Sequence, residues 1–243
     1  MADRLCFLGT GDSEAMDYWN TNLLLETAGK RLLIDCGYTI KYALRDMGLG
    51  VPDIDGILIT HIHADHCFGL ERFAYETRYT HGTRIPLYLP ADVYPGLWEE
   101  TLKGSMGHSS DGENRLDDFF DLQLIGDRRL RFGDATLELF PTDHTGGMAT
   151  YGVIINNRLI FTSDTNPLPW LAADRSDRRI VHDCSLQAHN PVHATLDEIA
   201  DFYPPEVRAR MLAIHYGDAM PTRRAQIEAV LAGVAEQGSC IDV

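Results

Sequence analysis

Apolar residues in this chain come in short runs separated by polar turns, from one end to the other. Runs at 5–8, 22–27, 31–35, 56–60, 87–89, 122–125, 129–132, 136–140, 151–155, 158–162, 180–183 and 211–215 predict strands. Between them the pattern predicts helices at 40–47, 195–202 and 223–237. In the second, Thr195 can cap the first turn, with Glu198 three residues on. The third is apolar at Ile227, Val230, Leu231 and Val234 and has a glycine just beyond. Asn156-Asn157, between two short strands, predicts a hairpin turn. The polar, glycine-containing stretch 103–121 predicts a loop or lid, and loops of that length commonly carry function. No repeat, low-complexity segment or linker divides the chain. Strands at both ends with helices among them predict one layered α/β domain over 1–243.

Composition narrows the class. A chain of 243 residues can bury a sizeable core, and 44% hydrophobic with 23% charged residues excludes wholesale disorder. No apolar run approaches the ~18 residues that cross a bilayer, so no membrane partner is expected. The first residues reach the Gly9-Thr10-Gly11 turn before a signal-peptide stretch forms, which predicts a first strand of a cytoplasmic protein. A net charge of −15 repels a phosphate backbone at long range and makes a large nucleic acid a poor partner. A small anion remains compatible where a bound cation dominates a pocket. Cys6, Cys36, Cys67, Cys184 and Cys240 are odd in number, scattered and free of any C-x-x-C pair. They predict reduced thiols, with neither a disulfide frame nor a cysteine zinc site.

The chemistry is concentrated after the strand at 56–60, in Thr60-His61-Ile62-His63-Ala64-Asp65-His66. Such a cluster fits neither a helical nor a strand face, and buried imidazoles each need hydrogen-bond partners. Metal binding accounts for the whole set. His144, Asp164 and His215 each follow another predicted strand, where loops gather on a rigid scaffold.

These residues resemble the metallo-β-lactamase fold superfamily, whose H-x-H-x-D-H run and later His, Asp and His form a dinuclear site. The resemblance covers nearly the whole chain. It implies a four-layer αβ/βα sandwich with the site at one edge between two sheets. It implies His61, His63 and His144 on a first metal, Asp65, His66 and His215 on a second, and Asp164 bridging them. His at 63, where the flavodiiron branch has Glu, points away from that redox branch. The nitrogen and oxygen donors suit two zinc ions, with manganese, iron or cobalt as alternatives. Asp35 follows a strand and is either an acceptor for a ligand imidazole or a simple turn residue.

Three segments resemble the phosphodiesterase branch that includes tRNase Z. They are Phe7-Leu8-Gly9-Thr10-Gly11-Asp12-Ser13, Ser163-Asp164-Thr165-Asn166-Pro167 and His193-Ala194-Thr195. The last implies His193 as an acid at the leaving oxygen, positioned by an acidic partner. Asp183, in His182-Asp183-Cys184-Ser185, stands where the branch has Glu, and its shorter arm leaves that contact open. About 20 residues separate His144 from Asp164, too few for the tRNA-binding arm of tRNase Z. Together with Asn20-Thr21-Asn22 and Ile34-Asp35-Cys36-Gly37, this makes the chain similar to the anti-Pycsar phosphodiesterases. Those hydrolyse 3′,5′-cyclic mononucleotides such as cCMP and cUMP to nucleoside monophosphates. The resemblance implies a small cyclic nucleotide substrate and a homodimer. Gly11, Asp12, Asn22 and His108 are candidate substrate contacts, with Asp65 and His193 as catalytic residues and Asp183 supporting. A tRNase Z-like RNA 3′-end endoribonuclease and a hydrolase of esters or lactones stay open as alternatives.

Overall fold

Leu5 and Phe7 face one way from their strand, Cys6 and Leu8 the other, and all four are buried. Strands covered on both faces read as unbroken apolar runs, which is why they stood out in the sequence. The computed structural model describes residues 3–110 and 112–243. Its strands are β1 (Arg4–Gly9), β2 (Asn22–Thr27), β3 (Lys30–Ile34), β4 (Gly56–Leu58), β5 (Pro86–Pro90), β6 (His108–Ser109), β7 (Gly112–Glu113) and β8 (Asp121–Ile125). The second half adds β9 (Arg129–Phe132), β10 (Ala135–Pro141), β11 (Tyr151–Ile155), β12 (Leu159–Phe161), β13 (Arg179–Asp183), β14 (Met211–Ile214), β15 (Gly233–Val234) and β16 (Cys240–Asp242).

Two large sheets result, ordered β16-β1-β2-β3-β4-β5-β8 and β15-β14-β13-β12-β11-β10-β9. Between them Leu5, Phe7, Leu23, Leu25, Leu32 and Ile34 pack with Leu137, Leu139, Val153, Phe161, Val181 and Ile214. The outer face of the first sheet carries helices Ile40–Asp46 and Leu70–Tyr75 through Ile40, Leu44, Leu70 and Phe73. The outer face of the second carries Leu196–Phe202 and Met220–Val230 through Leu196, Ile199, Met220 and Ile227. This is the expected four-layer αβ/βα sandwich in one domain. Among the described residues no helix is long and apolar enough to cross a membrane.

Strand direction places the site. β1 runs antiparallel to β2 and β2 to β3, so β1 shares its direction with β3, β4 and β5. In the second sheet β10 likewise shares its direction with β12, β13 and β14. The carboxyl ends of these strands deliver their loops to one edge. A bridge between Gly11 and Tyr216 and the bonds of Asp12 and Tyr216 across it tie the two sheets there.

Several expectations need correction. Cys6 and Cys240 form a disulfide, while Cys36, Cys67 and Cys184 are free and buried. The two half-cystines are directly opposed in the β1–β16 register, 234 residues apart in sequence. The helix expected at 223–237 spans Met220–Val230, and Gly233 at φ 150° turns the chain into β15 beside β14. The stretch 103–121 is not a free lid. It forms the helix Lys103–Met106, the β6–β7 ladder and the turn Leu116–Asp118, and buries Met106, Leu116, Phe119 and Phe120 in the outer core. The capping box forms: Thr195 Oγ1 accepts the Glu198 N–H at 3.2 Å, and Glu198 Oε2 accepts the Thr195 N–H at 2.9 Å. Asn156 and Asn157 both take positive φ, as a tight hairpin turn between twisted strands requires.

Candidate metal centre

His61 follows β4, Asp164 follows β12 and His215 directly follows β14, while His144 lies just beyond β10. Asp35, which follows β3, and Ser163 and His215, which follow β12 and β14, adopt left-handed backbone with φ of 63°, 51° and 60°. Such conformations cost non-glycine residues of order 1 kcal/mol each and concentrate at functional sites.

Asp164 Oδ2 lies at the middle. It is 3.2 Å from His66 Nε2, 3.5 Å from His215 Nε2, 3.6 Å from His61 Nε2 and 3.7 Å from His144 Nε2. Two four-residue groups can each hold an ion: His61, His63, His144 and Asp164, and Asp65, His66, Asp164 and His215. The structure thus brings together all seven side chains expected as ligands, with Asp164 common to both groups.

The far nitrogens fix which atom each ring offers. His66 Nδ1 is 2.9 Å from the Asp35 carboxylate and His144 Nδ1 is 2.7 Å from the Val192 carbonyl. Both acceptors lack hydrogen, so both Nδ1 atoms donate, which leaves Nε2 as the atom each ring can offer a cation. Thr21 donates its hydroxyl to the Gly11 carbonyl and therefore accepts from His215 Nδ1, 3.1 Å away. Thr60 donates to Asp35 and therefore accepts from His61 Nδ1, also at 3.1 Å. His63 is turned the other way, with its Nδ1 3.0 Å from His144 Nε2. Asp35 thus resolves as an acceptor for a ligand imidazole.

The donors fit divalent cations. His61 Nε2, His66 Nε2 and Asp164 Oδ1 are buried with no hydrogen-bond partner in the described structure. Leaving such groups unpaired costs about 1–3 kcal/mol apiece, and an ion satisfies them together. Charge is uneven. Burial disfavours a proton on His66, but Asp164, Asp65 and Asp35 together raise its pKa well above the ordinary value. Burial, then the neighbouring His66, hold His61 well below it. Burial raises Asp164, yet His215, His66 and His61 outweigh that and hold it well below the usual carboxylate range.

Beside this centre His193 Nδ1 is 2.7 Å from Asp183 Oδ2, so the shorter aspartate arm makes the contact. The same oxygen accepts the Thr165 N–H at 2.9 Å. The His193 ring stacks on His215 and tilts against His144, with centroids 5.0 and 4.8 Å away. Burial lowers its pKa, but the Asp183 charge and hydrogen bond raise it to about 9.

The four candidate substrate contacts divide. The Gly11 and Asp12 N–H groups donate to Trp19 and Tyr216 carbonyls, which sets this loop beside His215. Asn22 is fully buried; its Oδ1 accepts the Gly37 N–H and its Nδ2 donates to the Asn20 carbonyl. It braces loops instead of facing a ligand. His108 is exposed on β6 and joins neither ligand group. Sequence reasoning missed the Val192 carbonyl, and it gave Thr21 and Gly37 no role beyond their place in the family resemblance. A Cβ on Gly37 would stand 1.9 Å from the Asp65 carbonyl oxygen, so only glycine lets this loop reach the ligand turn.

Fold and site together define a protein of the metallo-β-lactamase fold whose clustered histidines and aspartates could hold metal ions. Within that class the chain belongs to the family described as Anti-Pycsar protein Apyc1, whose model matches residues 3–241. A member from Saccharibacillus brassicae is 37% identical over 220 residues, covering 88% of this chain and 90% of its own length. One from Paenibacillus sp. (strain J14) is 38% identical over 231 residues, covering 92% and 93%. Among solved structures, a diphosphatase from the PhnP family superposes with a TM-score of 0.77 at 20% identity, covering 99% of this chain and 98% of the other. That last likeness is one of fold.

Proposed function

We propose that the chain is a dinuclear-metal phosphodiesterase that hydrolyses 3′,5′-cyclic mononucleotides, cCMP and cUMP among them, and so counteracts Pycsar signalling. The observation that carries the reading is the His193–Asp183 pair beside two ligand groups joined through Asp164, in a chain of the Anti-Pycsar family. In this reading His61, His63 and His144 would hold one zinc ion, Asp65, His66 and His215 would hold the other, and Asp164 would serve both. When bound, the pair of ions supplies Lewis acidity and an acidified water.

The chain's own groups do the rest. Asp65 accepts the proton of the attacking water. The water oxygen bonds to phosphorus as the bond to one ribose oxygen breaks. His193, protonated, gives its Nε2 proton to that leaving oxygen, and Asp183 holds the ring by Nδ1. The product is a linear nucleoside monophosphate. Gly11 and Asp12 line the substrate side next to His215. We assign the enzyme to the cytoplasm and to a homodimer; size-exclusion chromatography with light scattering tests the latter. The function is tested by incubating zinc-loaded protein with cyclic mononucleotides, cyclic dinucleotides, a precursor tRNA and a lactone. Turnover confined to the cyclic mononucleotides supports the reading, and turnover of the tRNA or lactone alone overturns it.

A further inference from the structure

Tyr203 and His182 are buried and lie outside the ligand groups. The Tyr203 hydroxyl accepts the Leu168 N–H at 2.6 Å and stands 2.9 Å from His182 Nε2. The other ring nitrogen, His182 Nδ1, is 2.6 Å from the Asp183 carbonyl oxygen, which can only accept. His182 Nδ1 therefore carries the hydrogen, and Nε2 accepts the proton of Tyr203. The chain of donors runs one way: Leu168 N–H, Tyr203 O–H, His182 and then the Asp183 backbone.

That backbone belongs to the residue whose carboxylate holds His193. The Tyr203 hydroxyl also joins three separate pieces of the site. Leu168 ends the loop that follows Asp164, Asp183 ends β13, and Tyr203 closes the helix Leu196–Phe202 that begins just after His193. The near end of that helix is pinned too, by the Ser185–Ala194 and Leu196–Ser185 backbone bonds. We propose that Tyr203 and His182 are positioning residues that fix the Asp183 backbone, so that its carboxylate keeps His193 aimed at the leaving oxygen. A ring serving only to fill space would need no hydroxyl. The proposal rests on the phosphodiesterase reading above.

The test uses zinc-loaded protein and two diesters: cyclic CMP, whose leaving alkoxide needs a proton, and bis(p-nitrophenyl) phosphate, whose leaving group does not. In Tyr203→Phe the kcat ratio of cyclic CMP to the aryl diester falls about 10-fold, with KM and zinc content held. In a His193→Ala background the same change adds less than about 2-fold, because the two act as one unit. The proton NMR line of His193 Nδ1–H, identified by its loss in His193→Ala, shifts in Tyr203→Phe. His182→Gln keeps an acceptor near Tyr203 but loses the donor to Asp183; it repeats the pattern and carries the test should Tyr203→Phe not fold. Equal losses on both diesters, or an unmoved line, overturn the proposal. Wild-type protein that cleaves the aryl diester but no cyclic nucleotide defeats the functional reading alone, and the NMR line still decides the positioning role.

Discussion

Asp35 Oδ2 lies 2.9 Å from His66 Nδ1, and Asp35 Oδ1 takes the Thr60 N–H at 2.8 Å. One buried carboxylate thus orients a ring of one ligand group and the backbone that leads into the other. In Asp35→Asn an amide N–H2 must face one of these donors, and the charge opposite His66 is lost. Zinc affinity is expected to fall about 10–100-fold, measured by competition with a chromophoric chelator.

In the proposed mechanism His193→Ala separates acid catalysis from metal binding. The zinc content is expected to stay at the wild-type level while kcat on cyclic CMP falls about 10²–10⁴-fold. Asp183 raises the His193 pKa to about 9 without cations nearby. In the proposed dinuclear reading two cations would oppose a proton there, so the alkaline limb of the wild-type kcat profile is expected below that value. Activity is lost as pH rises through this limb, because the acid is then deprotonated. The limb is absent in His193→Ala, which a pH–rate series on both proteins reads.

The candidate ligands were legible because they are side chains of restricted type at the ends of doubly buried strands. Their partners were not. Val192 acts through its carbonyl, and Thr21 lies far from His215 in the chain, so neither leaves a local signal. The apolar spacing of Val230, Leu231 and Val234 mimics a continuing helix, but Gly233 breaks it and Val234 packs as a strand. β6, β7, β15 and β16 are two or three residues long, too short for a period. The Cys6–Cys240 pairing follows from β1–β16 register, which cysteine spacing cannot reveal.

Gly37→Ala tests the loop contact on the ligand turn. Its Cβ would meet the Asp65 carbonyl at 1.9 Å, and backbone cannot yield as a flexible side chain does. Cys36 N–H donates to the His66 carbonyl and Gly69 N–H to the Cys36 carbonyl, so the displaced loop disturbs both. A loss of about 1–3 kcal/mol in urea unfolding is expected, together with a lower zinc content.

Asp174 offers a stability test remote from the metals. Its carboxylate takes Ser176 Oγ at 2.7 Å, Arg178 at 2.8 Å and Arg210 at 3.1 Å, and so ties the loop before β13 to the start of β14. Burial raises its pKa, but Ser176, Arg178 and Arg210 outweigh it and lower it to about 2. A carboxylate depressed in the folded state stabilises the fold above its unfolded pKa, near 4. That stability drains away as pH falls from there towards 2. The side chain is 8% exposed and the arginines 18% and 17%, so solvent screens part of the interaction. At pH 7 Asp174→Asn is expected to cost about 1–2 kcal/mol. Thermal unfolding of the two proteins from pH 7 down to pH 2.5 checks this, with the gap between them narrowing below pH 4.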